Sequence, residues 1–161
     1  MKINEPVNIL FAGVGGQGVL KAAEIAGWAA IYEGYHVKKS EVHGMAQRGG
    51  SVESHLRFGR RVFSPLIPAG AVDYLVSFHR GERDRLGRLL KRDGIDLIEG
   101  LAEAERSLDD PRYVNTYLLG VLSTHLPIKQ ENWLKALQKA LPDKYVAQNT
   151  EVFLKARAKV P

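Results

Sequence analysis

At 161 residues, 45% of them apolar, the chain has the size and composition of a single domain with a sizeable core. It has no cysteine, which excludes disulfides, cysteine-type zinc sites and any iron–sulfur cluster held by its own thiolates. The formal charge of +5 admits a nucleic acid, a phosphorylated cofactor or an acidic partner. No apolar run reaches the roughly 20 residues of a membrane span, and Met1 to Pro6 has no signal-peptide core, so a cytoplasmic location without membrane association is expected.

An apolar run from Val7 to Ala12 reads as the first strand. It leads into Gly13-Val14-Gly15-Gly16-Gln17-Gly18, and a helix-like stretch from Val19 to Ala30 follows. Strand, glycine turn and helix in that order make an anion site. The glycines allow positive φ, and the helix start adds unpaired N–H groups and the positive end of a dipole. Gly13, Gly15 and Gly18 also fit the dinucleotide fingerprint. That fingerprint needs an acidic residue about 20 positions on, at the end of the second strand. Here the second strand, Tyr35 to Ser40, carries Lys38 and Lys39, and Glu41 comes after them. This argues against NAD and leaves NADP open. A purely structural role is also open, in which the glycines only let the helix lie close to the strand. Val19, Ala22, Ala23, Ala26 and Ala30 share one helix face, and Gly34 is placed to end the helix.

Glu41 to Ser51 has no period but holds an acid, His43, Gln47, Arg48, Gly49 and Gly50 in close succession, the pattern of a loop that touches a ligand. Ser51 to Phe58 alternates as a strand does. With Gly59-Arg60 as a turn into Arg61-Val62-Phe63, a short hairpin is expected, ended by Pro65 and Pro68. Ala71 to Phe78 reads as a buried strand. Gly81 to Arg92 reads as a helix with Leu86, Leu89 and Leu90 on its apolar face, and Ile95 to Ile98 as a short strand. Gly100 to Asp110 is linker-like. Three helices follow: Thr116 to Leu126, one carrying Trp133, Leu137, Ala140 and Leu141, and Asn149 to Ala158.

Chemistry-bearing motifs are few. The five histidines show no zinc spacing, so no metal is expected. There is no nucleophile elbow and no Walker lysine, and no residue can be assigned a catalytic role. His43 suits either acid–base work or donation to a phosphate. The arginines between Arg80 and Arg92 alternate with Glu82 and Asp84, as on a solvated helix face. They lack interleaved aromatics, so nucleic acid is not expected as a partner.

Three stretches, Gly13 to Leu20, Ser40 to Ser51 and Ser64-Pro65-Leu66-Ile67-Pro68, together resemble the gamma subunit family of 2-oxoacid:ferredoxin oxidoreductases. Within that family they most resemble the small (beta) subunit of the indolepyruvate-using members. The likeness covers residues 7 to about 78 closely, and resumes at Asn115-Thr116-Tyr117-Leu118-Leu119-Gly120. It implies one gamma-type domain over residues 1–161. The implied fold is a three-layer α/β one, with a mostly parallel sheet, a Rossmann-like glycine turn and a β-hairpin insertion. It also implies a multi-subunit complex that decarboxylates a 2-oxoacid on thiamine diphosphate, passes electrons through iron–sulfur clusters to ferredoxin and releases an acyl-CoA. The clusters and the thiamine site would lie in partner subunits, with this chain helping to hold coenzyme A. Residues implied at that site are Gly13, Gly15, Gly16, Gln17, Gly18, His43, Gln47, Arg48, Gly49, Gly50 and Ser51. Arg48 would meet a phosphate or carboxylate, and Gln17 would donate from its amide. The span from Phe78 to Asn115 is shorter than the family leads one to expect, which implies a trimmed sheet edge. A stand-alone phosphate- or nucleotide-binding module stays open, as does a homodimer of the isolated chain.

Overall fold

A computed structural model describes residues 4–43 and 50–161. Its centre is β1 (Val7–Val14), whose apolar run is explained by burial on both faces. Ile9 and Phe11 point into one core cluster, Leu10 and Ala12 into another. On one side β1 pairs antiparallel with β3 (Ser51–Gly59), and β3 pairs antiparallel with the edge strand β2 (His36–His43). On the other side β1 runs parallel to β4 (Val72–Ser77), and β4 runs parallel to β5 (Leu90–Asp96). The order is β2-β3-β1-β4-β5. All strands but β3 point the same way, so the sheet is mostly parallel by direction. Its pairings divide evenly because the one reversed strand lies between two others.

The larger cluster lies between one sheet face and α1 (Val19–Glu33), α3 (Ile98–Ser107), α4 (Val114–Ser123), α5 (Gln130–Ala140) and α6 (Asp143–Lys159). The alanine face expected of α1 is buried. Its small side chains bring the helix close enough that a Cβ on Gly27 would touch Leu56 at 3.6 Å and Val37 at 3.8 Å. The opposite face is covered thinly, by α2 (Arg80–Leu86) and by Ile67 from the segment after β3. The three layers are therefore unequal. Among the described residues no helix is long and apolar enough to cross a membrane.

Five expectations need correction. First, Arg61 to Phe63 forms no strand; the hairpin is β2–β3 itself, and the strand inserted between β2 and β1 is β3. Second, the helix expected to reach Arg92 stops at Leu86. After a 3-10 turn at Gly87–Leu89 the chain becomes β5, where Gly94 packs so closely that a Cβ would lie 2.8 Å from the Val72 carbonyl. Third, the linker-like stretch is mostly helix α3, which buries Leu101 and Ala104. Fourth, the span between Phe78 and Asn115 is not missing its edge, since it supplies β5 and α3. The last helix also starts earlier than expected, at Asp143 directly after Pro142.

Candidate functional site

The glycine turn leaves the carboxyl end of β1. Gly16 and Gly18 take φ of 90° and 75°, a region open to glycine at little cost. Gly13 is required for space instead: a Cβ there would lie 2.8 Å from both Gln17 Oε1 and Val19 Cγ2. Part of the turn's donor set is used internally. Val14 N–H donates to Gln17 Oε1 at 2.9 Å, Gly15 N–H to the Gly50 carbonyl at 3.0 Å, and Gln17 N–H to the Val14 carbonyl at 3.2 Å. Gln17 Nε2 donates to the Phe78 carbonyl at 2.9 Å. The Gln17 amide therefore braces the turn, while its Nε2 keeps a second hydrogen and the residue lines the adjoining cleft.

What remains is the start of α1. Gly18 is its N-cap and supplies no side-chain cap, and the first turn contains no acidic residue. Its leading N–H groups have no intrahelical acceptor and carry the positive end of the dipole; a cleft of about 360 Å³ lies beside its N-cap. Gly16, Gln17, Gly18, Phe78, Leu101, Glu105, Arg112 and Asn115 are among its lining residues. Asn115, at the start of α4, donates from Nδ2 to the Gly18 carbonyl at 3.4 Å, while its Oδ1 accepts from Thr116 N–H at 2.9 Å. Glu105, the acid on the cleft wall, is held by a two-pronged contact with Arg80 at 2.8 and 3.0 Å. The hydrogen bonds from Arg80 also lower its carboxyl pKa, ahead of the opposing effect of burial. Its charge is thus balanced, and the wall does not repel an anion at α1. Arg112 is held by Asp110, with its side chain 80% exposed at the rim.

The polar loop meets this turn at its end. Gly50 accepts from Gly15, and Ser51 stands opposite Val14 in the β1–β3 register. The Ser51 hydroxyl is committed elsewhere: it donates to Glu82 Oε1 at 2.7 Å. Glu82 in turn accepts from Arg85, which also reaches Glu53, and Glu53 lies 3.3 Å from His55. Burial raises the Glu82 pKa, but the bonds from Arg85 and Ser51 together outweigh it, so the carboxyl titrates below its ordinary range. His43 is opposite Val52, which is opposite Gly13. It is therefore two strands from the turn, and its ring is 3.9 Å from Glu41. Gln47, Arg48 and Gly49 lie outside the described residues. The sequence reading passed over Glu105 and Arg112. It met Asn115 only through the resemblance that resumes there, which was the available signal. Among the described residues no group of three or more His, Asp or Glu is placed to hold a metal.

An α/β sheet with a glycine turn at the end of its first strand and a helix start without a side-chain cap is an arrangement able to hold an anion. The chain belongs to the pyruvate ferredoxin/flavodoxin oxidoreductase family, which matches residues 8–102. It is similar to the indolepyruvate oxidoreductase subunit IorB of Thermococcus kodakarensis, with 48% identity over 88 residues, or 55% of this chain and 44% of that one. The matched part thus spans less than half the length of this relative. Among solved structures, the gamma subunit of a keto/oxoacid ferredoxin oxidoreductase from Geobacter sulfurreducens superposes with a TM-score of 0.77. It is 24% identical, covering 95% of this chain and 97% of that one. The 2-oxoglutarate:ferredoxin oxidoreductase of Magnetococcus marinus, solved with 2-oxoglutarate, coenzyme A and succinyl-CoA bound, also gives 0.77. It is 16% identical, covering 97% of this chain and 31% of that one. At these identities the two structures establish the fold.

Proposed function

We propose that this chain is a gamma-type subunit of a 2-oxoacid:ferredoxin oxidoreductase acting on indolepyruvate or a related arylpyruvate. It would act as one domain over its whole length and complete the coenzyme A end of a site whose thiamine diphosphate and iron–sulfur clusters are held by partner subunits in the cytoplasm. The observation that carries this reading is the uncapped start of α1 above the cleft. A glycine N-cap without a side-chain cap and no acid in the first turn fit one phosphate group of coenzyme A. The cleft is small enough that only part of such a ligand would rest on this chain. Coenzyme A supplies the thiol that accepts the acyl group; the residues here bind and orient its anionic end and carry no step of the chemistry. Arg48 and Gln47 are proposed to add charge and polar contacts from the loop before β3, with His43 near its start. The lack of cysteine in this chain supports holding the clusters elsewhere in the complex.

The test is capture of the tagged full chain from its native extract, followed by metal and thiamine analysis. A cysteine-rich, thiamine-binding partner is expected. In the assembled enzyme, Arg48→Ala should raise the KM for coenzyme A at least several-fold while sparing the KM for the 2-oxoacid. Recovery of the chain alone, with phosphate-ligand binding intact, would favour a stand-alone anion-binding module and overturn the subunit reading.

A further inference from the structure

We propose that the free edge of β2 pairs with the same edge of a second copy of this chain, antiparallel, through a two-fold axis at Ser40. Among the described residues β2 ends the sheet on its side. It is eight residues long, contains no proline, and leaves Val42 43% exposed. An unpaired edge of that length is a template for another strand.

The register follows from charge. A two-fold axis perpendicular to a sheet keeps the same face of both copies on the same side. Side chains alternate along a strand, so opposed residues must share a face. The axis therefore passes through a residue and not between two. At Lys39 it would set Lys39 against its own copy, and at Glu41 it would set two carboxylates together. Like charges directly opposite one another are destabilising, and opposite charges favour pairing. At Ser40 the two serines meet, and Lys39 of each copy faces Glu41 of the other. The same register sets Lys38 against Val42 and Val37 against His43. Within one chain Lys39 Nζ already lies 3.1 Å from Glu41 Oε1, so the pairing closes a ring of four alternating charges. Lys39, Glu41 and His43 share the sheet face that carries α1, as their alternation with Lys38 and Val42 requires. Two five-stranded sheets become one continuous sheet. The pairing uses neither the glycine turn nor the cleft, so it stands apart from the anion reading.

The experiment is light scattering on the purified full chain at micromolar concentration. The expected mass is twice that of one chain. Lys39→Glu sets carboxylates against each other and should halve that mass at the same concentration. The double variant Lys39→Glu/Glu41→Lys restores the opposed signs and should recover the dimer, with circular dichroism confirming the fold of each. Because the chain has no cysteine, Ser40→Cys carries a single thiol and should give a disulfide-linked dimer on mild oxidation. A monomeric parent chain, a dimer indifferent to Lys39→Glu, a double variant that folds but stays monomeric, or a Ser40→Cys chain that does not cross-link overturns the proposal. The cross-link decides the matter where a charge variant fails to fold.

Discussion

Gln17 donates its side-chain amide to the carbonyl of Phe78 at 2.9 Å, while its Oε1 accepts the N–H of Val14 at the same distance. One residue thus closes the glycine turn and ties it to the residue that follows β4. The turn is therefore braced by its own side chain, next to the N-cap of α1 at Gly18. Gln17→Ala removes both bonds and strands two backbone groups. An unmade bond at a partly buried group costs about 1–3 kcal/mol, so urea unfolding should show a loss of that size. An unchanged midpoint would mean that water replaces the side chain at no cost.

Gly18 and Gly16 separate two effects in the same turn. Both have positive φ, which costs other residues roughly 1–2 kcal/mol. A Cβ on Gly16 meets open space, whereas one on Gly18 drives into the Asn115 side-chain amide. Gly16→Ala should therefore cost stability alone. Gly18→Ala should cost stability and, by displacing Asn115 into the cleft, also raise the KM for coenzyme A in the assembled enzyme. Equal KM values for the two variants would remove Asn115 from the binding surface.

Arg57 explains why the Ser64–Pro68 segment is held where it is. Its Nε donates to Asn8 Oδ1 at 2.8 Å, and one terminal nitrogen donates to the carbonyls of Ser64 and Leu66 at 3.0 and 3.3 Å. His55 Nδ1 accepts from Ile67 N–H at 3.3 Å, so two outward residues of β3 pin the cover of the thin layer. A lysine lacks the planar fork. Arg57→Lys should lower stability by about 1–2 kcal/mol and speed proteolytic cleavage between residues 60 and 71. Unchanged cleavage would assign the anchoring to His55.

The sequence pattern carried the first strand, the glycine turn and α1 because each has a strong local cause: an unbroken apolar run, obligatory positive φ, and alanines at helical spacing. The alternation from Ser51 showed β3 as a strand, but its antiparallel place beside β1, which brings Gly50 to the turn, was not legible, because alternation within a strand does not name its neighbour. The region after β4 was not legible either. Leu86, Leu89 and Leu90 satisfy a helical period, yet Leu86 closes α2 while Leu90 begins β5. The strand is held by its parallel pairing with β4, where Gly94 lies close to the Val72 carbonyl, a contact across the sheet that local spacing does not encode. Helix α3 was hidden because it buries one leucine and one alanine under an otherwise charged surface. The bond from Gln17 to the Phe78 carbonyl was not legible, because nothing in the chain order shows that Phe78 ends beside the turn.

The chain from His55 through Glu53, Arg85 and Glu82 to Ser51 makes stability on the thin side of the sheet depend on pH. Burial works against the Glu82 charge, but the bonds from Arg85 and Ser51 leave its pKa below the ordinary value. A lowered folded pKa means that the folded state holds its proton less tightly than the unfolded chain. The resulting stability is complete above the unfolded value, about 4.3 for glutamate, and is lost as pH falls through the folded one. Glu82→Gln keeps the shape and removes the charge, leaving Arg85 with Glu53 alone. The variant should be less stable than the parent by about 1–3 kcal/mol at pH 7. That gap should narrow steadily in urea titrations below about pH 4.3, where the parent also begins to lose the Glu82 charge. A gap that stays constant with pH would show that Glu82 stabilises through its shape and hydrogen bonds, with no contribution from its ionisation.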